Sequence, residues 1–169
     1  MRNITAQSPA VIGGALVVPV GLLTWLLGEV PALLDGSTPE ACRRIELAAL
    51  AAVIQAERAP GFEPRDVSAE KVGYDVQSRI PGTGRLRFIE VKGRAAGATT
   101  VTVTRNEILV ALNKPAEFVL ALVAVPLTHG GSTPVVRYVR RPFTREPEEF
   151  AESVTYRWDD LWARGNYPW

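Results

Sequence analysis

Two neighbouring segments decide the fold, GYDVQ at residues 73–77 and RFIEVKGR at residues 87–94. The side chains of a β-strand alternate between its two faces, so Glu90 and Lys92 emerge on the same face of the second segment. The Pro- and Gly-rich turn between the segments predicts that the first folds back alongside the second, carrying Asp75 with it. We therefore expect two carboxylates and an amine to meet at one point of a sheet.

A helix is predicted before these strands. Ser37 or Thr38 as a cap, followed by a proline and an acidic residue, indicates a helix start, and a Pro-Gly pair indicates its end after about Arg58. Glu46 lies at the border of the apolar stripe of this helix, where its carboxylate can point over the sheet. The alternative is an ordinary solvated glutamate.

The chain after the hairpin continues to alternate between strand and helix. Residues 100–103 have strand character, TRNE at residues 104–107 is a capping box that opens a helix, and residues 118–125 are a continuous apolar run. A further strand is predicted at residues 135–139, nearer the edge of the sheet. This order predicts an α/β fold.

The composition indicates one domain and excludes several kinds of site. A chain of 169 residues with 47% hydrophobic content can bury one core, and a formal net charge of +1 neither requires nor excludes a polyanionic partner. Cys42 and His129 are the only residues of their kinds, which excludes disulfide frameworks, zinc–cysteine sites and metal sites with two imidazoles. We interpret His129 as an exposed residue of a Gly-rich turn.

Both ends of the chain differ from its middle. The stretch at residues 10–27 is almost wholly apolar but contains Pro19, so we expect a buried strand and a short helix there rather than a membrane span or signal peptide. This assigns residues 1–36 to an apolar N-terminal extension of a cytoplasmic protein without membrane contact, and residues 37–145 to the domain. Residues 146–169 form a Trp-rich tail that we expect to pack on the domain; a partner-binding surface is the alternative.

The charges of the second segment need an explanation, because that strand is otherwise apolar on both faces. One explanation is a buried salt-bridge cluster of Asp75, Glu90 and Lys92 that binds no metal. Buried ion pairs seldom add stability over apolar residues of similar size, which favours a functional site.

These segments resemble known nucleases. The order of a helix with Glu46, strands with Asp75 and Glu-x-Lys, and then a helix and a strand is similar to that of the PD-(D/E)XK nuclease superfamily. From about residue 41 to residue 125 the chain resembles the family named for the C-terminal region of the plant protein NO VEIN, which also occurs in bacteria. The matching pieces are Glu46, GYDV at 73–76, FIEVKGR at 88–94, TRNE at 104–107 and the apolar strand at 118–125. GALVVP at 14–19 is similar to the sequence that precedes this domain in some bacterial Swi/Snf-type helicases, several of them in anti-phage defence systems.

The resemblance implies a restriction-endonuclease-like fold, a central mixed sheet flanked by helices, with a site for Mg²⁺ or Mn²⁺. Asp75 and Glu90 are expected to bind the ion, with the Val91 carbonyl as a further ligand and Glu46 as an auxiliary catalytic carboxylate. Lys92 is expected to orient or help deprotonate the attacking water. Flanking arginines would contact phosphates, or else are ordinary surface charge: Arg79, Arg85, Arg87 and Arg94.

The function expected from this resemblance is Mg²⁺-dependent endonucleolytic hydrolysis of DNA, in a protein associated with a helicase or with anti-phage defence. We favour a metal-dependent deoxyribonuclease over a non-cleaving DNA-binding module that keeps the nuclease fold. A protein-docking module that uses the Trp-rich tail is a third alternative. The expected partners are DNA and a helicase domain or subunit. Association of two copies of the chain as a homodimer is a further alternative.

Overall fold

The computed structural model describes residues 38–126 and 133–168. The strand and helix expected in the N-terminal extension, together with His129 and Trp169, lie outside the described residues. The described part forms a small α/β domain with three α-helices and a mixed central sheet, which confirms the predicted class. No helix in this part is both long and apolar enough to cross a lipid bilayer.

The predicted helices and strands occur in the predicted order, with one additional short strand between the first helix and the hairpin and two further elements in the Trp-rich tail. The helices are α1 (Pro39–Arg58), α2 (Arg105–Asn113) and α3 (Trp158–Arg164). The strands are β1 (Glu63–Asp66), β2 (Val76–Ile80), β3 (Arg85–Ala95), β4 (Thr100–Thr104), β5 (Phe118–Val125), β6 (Val135–Arg140) and β7 (Ser153–Arg157).

Five strands form the central sheet in the order β1-β2-β3-β5-β6. Strands β3 and β5 are parallel, and the other neighbouring pairs are antiparallel. All but one of the eight residues of β5 are buried, as a strand covered on both faces requires. The prediction of a central strand at residues 118–125 with a strand at residues 135–139 nearer the edge is therefore confirmed.

Helix α1 covers one face of the sheet. Thr38 caps it by accepting a hydrogen bond from the Ala41 N–H at 3.1 Å, and a proline occupies its first turn, as predicted. Its buried side includes Ile45, Ala49 and Val53, which pack into a core shared with β2, β3, β5 and β6. This packing follows from the apolar stripe of the helix.

Gly93 allows α1 to lie close to β3. A Cβ atom added at Gly93 would lie 2.6 Å from the Ala49 Cβ and 3.2 Å from the Ile45 carbonyl oxygen, so a larger residue fits only if α1 moves. The first half of α1 is thereby held beside the part of β3 that follows Glu90.

The opposite face of the sheet is covered by α2, α3 and a two-stranded ribbon of β4 and β7. Val101, Val103 and Ile108 are fully buried in this second layer. Trp158 of α3 is buried in the same cluster and stacks on Trp162, with 5.2 Å between the ring centroids. Glu90 and Lys92 emerge from β3 on this side of the sheet.

Strand β2 is shorter than predicted. Strand character was expected from Gly73, but β2 begins at Val76, because Gly73 adopts a φ of 87° that a strand does not accommodate. Asp75 still donates its N–H to the Ile89 carbonyl at 3.0 Å. Strand β2 pairs with β3 only as far as Ile89, whereas β3 continues to Ala95. The edge of β3 after Ile89 is therefore not paired with β2 and is open to side chains.

Candidate functional site

A cavity of about 460 Å³ lies where β3 continues past the start of β2. The residues predicted to be catalytic or to bind the metal all line it: Glu46, Asp75, Glu90, Val91 and Lys92. Elements distant in sequence meet here because Asp75 precedes β2, the Glu-x-Lys segment lies within β3, and Glu46 comes from α1.

Asp75 is oriented by the backbone of β3. Its Oδ2 atom accepts a hydrogen bond from the Val91 N–H at 2.9 Å, in the position where a β2 carbonyl would otherwise continue the ladder. Burial raises the pKa of the Asp75 carboxyl above its ordinary value, although the Val91 hydrogen bond and Lys92 act in the opposite direction. The side chain is therefore fixed in place with a charge that the surroundings only partly compensate.

Glu90 is the most deeply buried acid of the cavity, with 3% of its surface exposed. Burial, repulsion from Asp75 and repulsion from Glu107 together raise its pKa to about 9, against the opposing attraction of Lys92. At neutral pH the Glu90 carboxyl therefore keeps its proton, and a cation bound beside it would favour the ionised form.

Lys92 lies between two carboxylates. Its ammonium donates to Glu90 Oε1 at 2.7 Å and to Glu107 Oε2 at 2.8 Å. Burial alone would lower the pKa of Lys92, but attraction to these two acids outweighs burial and raises it. Lys92 is therefore held as a fixed cation.

Glu107 was not among the predicted site residues. The predicted capping box of α2 is confirmed: Thr104 Oγ1 accepts the Glu107 N–H at 3.4 Å, and Glu107 Oε2 accepts the Thr104 N–H at 2.9 Å. The same Oε2 atom accepts from Lys92, so this carboxylate both caps the helix and holds the lysine. The capping motif explains Glu107 without a second contact, and the only sequence signal for that contact is that α2 directly follows β4, the strand after β3.

Glu46 lines the cavity from the side of α1, on an exposed part of that helix. Its carboxylate is therefore both at the cavity and accessible to solvent. The two alternatives from the sequence, a carboxylate over the sheet and a solvated glutamate, both describe part of its position.

The cavity contains oxygen groups of the kind that bind a divalent cation. Four acids line the cavity (Glu46, Asp75, Glu90 and Glu107) against three bases (Arg43, Lys92 and Arg94), so negative charge exceeds positive charge by one when all are ionised. The N–H and C=O of a strand residue point to the same side, and the Val91 N–H points to Asp75, so the Val91 carbonyl is directed to the open edge of β3. Carboxylate and carbonyl oxygens are ligands that Mg²⁺ prefers. In the described part of the chain, no three His, Cys, Asp or Glu side chains are close enough to one another to hold a metal ion by themselves.

A family model covers the segment that carries this cavity. Residues 45–139 match the family described as Protein NO VEIN, C-terminal, which is more than half of the 169-residue chain. The chain belongs to this family. No curated protein matches the sequence. The NO VEIN C-terminal segment includes Glu46, Asp75, Glu90, Lys92 and Glu107, and ends before β7 and α3.

Of the four arginines predicted to flank the site within the NO VEIN C-terminal segment, one lines the cavity. Arg94 lies at the cavity, and its Nε donates to the Thr100 carbonyl at 3.3 Å. Arg79 is exposed and paired with Glu63 of the edge strand β1. Arg85 lies five residues before Glu90 on β3, about 17 Å away at roughly 3.3 Å per residue, so the strand carries it away from the cavity.

Arg87 differs most clearly from the prediction that it flanks the site. It points to the α1 face, with 5% of its surface exposed and its Nη1 3.5 Å from Glu57 Oε1. Glu57 also accepts a hydrogen bond from the Tyr138 hydroxyl at 2.9 Å. The alternation of β3 places Arg87 and Glu90 on opposite faces, so Arg87 belongs to a buried polar cluster of the core and not to the rim of the cavity.

Proposed function

We propose that this domain is a Mg²⁺- or Mn²⁺-dependent nuclease that hydrolyses phosphodiester bonds of DNA, and that its fold is of the PD-(D/E)XK type. The observation that carries the proposal is the arrangement of Asp75, Glu90 and Lys92 in one cavity, with Lys92 fixed between two acids. A buried ion-pair cluster seldom adds stability by itself, and carboxylates are ligands that Mg²⁺ prefers, so the acids around Lys92 favour a divalent cation over a structural role.

The strand order supports the proposed fold type. A mixed sheet with the hairpin β2–β3, a parallel β3–β5 pair joined through α2, and α1 on the opposite face provides the scaffold that the sequence resemblance led us to expect. The helicase-associated or anti-phage setting stays a prediction, since it depends on residues 14–19, which the structure does not describe.

The residues have separate roles in this proposal. Asp75 and Glu90, with the Val91 carbonyl, would hold the ion, which would neutralise phosphate charge and acidify a water when bound. Lys92 supplies a fixed positive charge beside the reacting phosphate and orients the attacking water. Glu46, exposed at the cavity, is the proposed auxiliary carboxylate.

A second candidate is a DNA-binding or docking module that keeps the nuclease fold but does not cleave. The observation that favours it is the pair of short contacts that Lys92 makes with Glu90 and Glu107. In these contacts the lysine neutralises part of the acidic charge, so the cluster does not require a metal ion. In this case the cluster would serve mainly to hold β3 and α2 together.

Cleavage of plasmid and linear DNA by the purified chain, in Mg²⁺, Mn²⁺ or EDTA, separates these candidates. The nuclease proposal expects metal-dependent cleavage that Asp75→Asn, Glu90→Gln and Lys92→Met each reduce by about 100-fold or more. Glu63→Gln is the matched control, because it changes an exposed carboxylate of the same sheet outside the cavity. Cleavage that survives in the Asp75 and Glu90 variants would show a contaminating enzyme and refute the assignment.

A further inference from the structure

The ribbon of β4 and β7 presents one face of small polar side chains to solvent. Val101 and Val103 of β4 point into the core, so the alternate residues of both strands point outward and are exposed. The outward residues form three cross-strand pairs, which we call the hydroxyl face: Thr100 with Arg157, Thr102 with Thr155, and Thr104 with Ser153.

The chemistry of the hydroxyl face is uniform. Five of its six side chains carry a hydroxyl group and the sixth carries a guanidinium, that of Arg157, which lies 3.9 Å from Asp160 Oδ2 of α3. At its centre the hydroxyls of Thr102 and Thr155 are 3.1 Å apart and hydrogen-bonded. In a chain with 18 acidic residues, a face without a carboxylate next to a cavity rich in carboxylates is a distinct surface.

The hydroxyl face is continuous with the carboxylate cavity. Thr102 lines the cavity together with Lys92 and Glu107. Arg94, which also lines the cavity, is tied to the face through its hydrogen bond to the Thr100 carbonyl. A molecule that leaves the cavity past Arg94 therefore meets the outward side of β4.

A nucleic-acid backbone fits this surface. Hydroxyl and guanidinium groups are common donors to phosphate oxygens, and such contacts position the backbone without reading its sequence. The four residue steps of β4 span about 14 Å, which is long enough for more than one phosphate of a strand whose charges are spaced about 3.4 Å apart along the axis. Carboxylates adjoin only the ends of the hydroxyl face, Asp160 at Arg157 and Glu107 at Thr104, so the central pair of Thr102 and Thr155 offers that backbone neutral donors.

We propose that the hydroxyl face is the docking surface for the phosphate backbone of the nucleic-acid strand that enters the carboxylate cavity. The entry of that strand into the cavity depends on the nuclease function proposed above, but the contact itself does not. Thr155 is the central test position, because it lies on β7, outside the cavity and outside the family segment.

Charge substitutions at Thr155 test the contact without requiring cleavage. Binding of the full chain to a fluorescently labelled DNA duplex is measured by anisotropy over a range of salt concentrations, with Ca²⁺ in place of Mg²⁺. Thr155→Lys is expected to tighten binding about threefold or more and to steepen the log–log salt slope by about one, and Thr155→Glu is expected to weaken binding. Thr144→Lys and Thr144→Glu are the matched controls, since Thr144 is an exposed threonine that is not one of the six residues of the hydroxyl face, and they should change affinity much less.

Equal effects at Thr155 and Thr144, or no saturable DNA binding by the native chain, would overturn the docking surface. A change of oligomeric state in light scattering with Thr155→Glu would overturn it too, because the face would then contact a second copy. Cleavage measured in parallel separates the two proposals. Thr155-sensitive binding without cleavage leaves the docking surface and refutes the nuclease; cleavage and binding insensitive to Thr155 refute only the docking surface.

Discussion

At the scale of single residues, ionisation of the buried Glu90 carboxyl is unfavourable and should make the stability of the protein depend on pH. The Glu90 pKa of about 9 in the folded protein lies above the ordinary glutamate value of 4.5, so the folded state binds a proton more tightly than the unfolded state between these pH values. The metal-free protein should therefore lose stability as the pH rises from about 5 to 9, by up to about 1.4 kcal/mol per pH unit for one proton. Urea unfolding in EDTA at pH 5 and pH 8 measures this slope.

Glu90→Gln should remove that slope, since an amide does not titrate. The variant should then be more stable than the native chain at pH 8 and close to it at pH 5. Glu63→Gln should keep the native slope. A Glu90→Gln variant with the native pH dependence would place the titrating group elsewhere.

Glu107 links helix capping to the fixed lysine. Glu107→Gln keeps a residue that can complete a capping box but removes the charge that holds Lys92, so we expect cleavage to fall about 10- to 100-fold with little change in the free energy of unfolding. Glu107→Ala removes both contacts and should cost about 1 kcal/mol of stability in addition. Single-turnover cleavage and urea unfolding measure the two effects. Native cleavage and native stability in Glu107→Gln, with a loss of stability only in Glu107→Ala, would mean that Glu107 acts only as a cap.

At the scale of helices and strands, the close contact between α1 and β3 at Gly93 holds together two elements that line the cavity. Gly93→Ala would add a Cβ 2.6 Å from the Ala49 Cβ and push the helix away, which should cost about 1–3 kcal/mol in urea unfolding. Adding Ala49→Gly removes the Cβ that the new side chain of Gly93→Ala would meet, so the double variant should regain part of the lost stability. The gain is offset by about 1 kcal/mol, the cost of a glycine within a helix. If the double variant is less stable than the sum of the single changes, crowding at this contact is not the cause.

The sequence predicted the elements with strong local signals and missed what depends on their docking. The cap at Thr38, the capping box at Thr104 and the apolar strand β5 follow from short-range chemistry, and all three were predicted correctly. The alternation of β3 also predicts that Arg87 and Glu90 lie on opposite faces, so its assignment to the rim was a failure to apply that rule. The pairing of β4 with β7 and the contact of Glu107 with Lys92 required the tertiary structure, because no local pattern encodes either partner.

The charge of the cavity should make the stability of the whole domain depend on divalent ions. An ion that binds only the folded chain stabilises it by about 2.7 kcal/mol at 100 times its dissociation constant. Mg²⁺ should therefore raise the unfolding temperature of the native chain, and Asp75→Asn should reduce this shift, because one of the two proposed carboxylate ligands loses its charge. Because a proton on Glu90 competes with the ion, the shift should be larger at pH 8 than at pH 6. Thermal unfolding with Mg²⁺ and with Na⁺ at equal ionic strength separates specific binding from screening, and a shift that Na⁺ reproduces would contradict a divalent site.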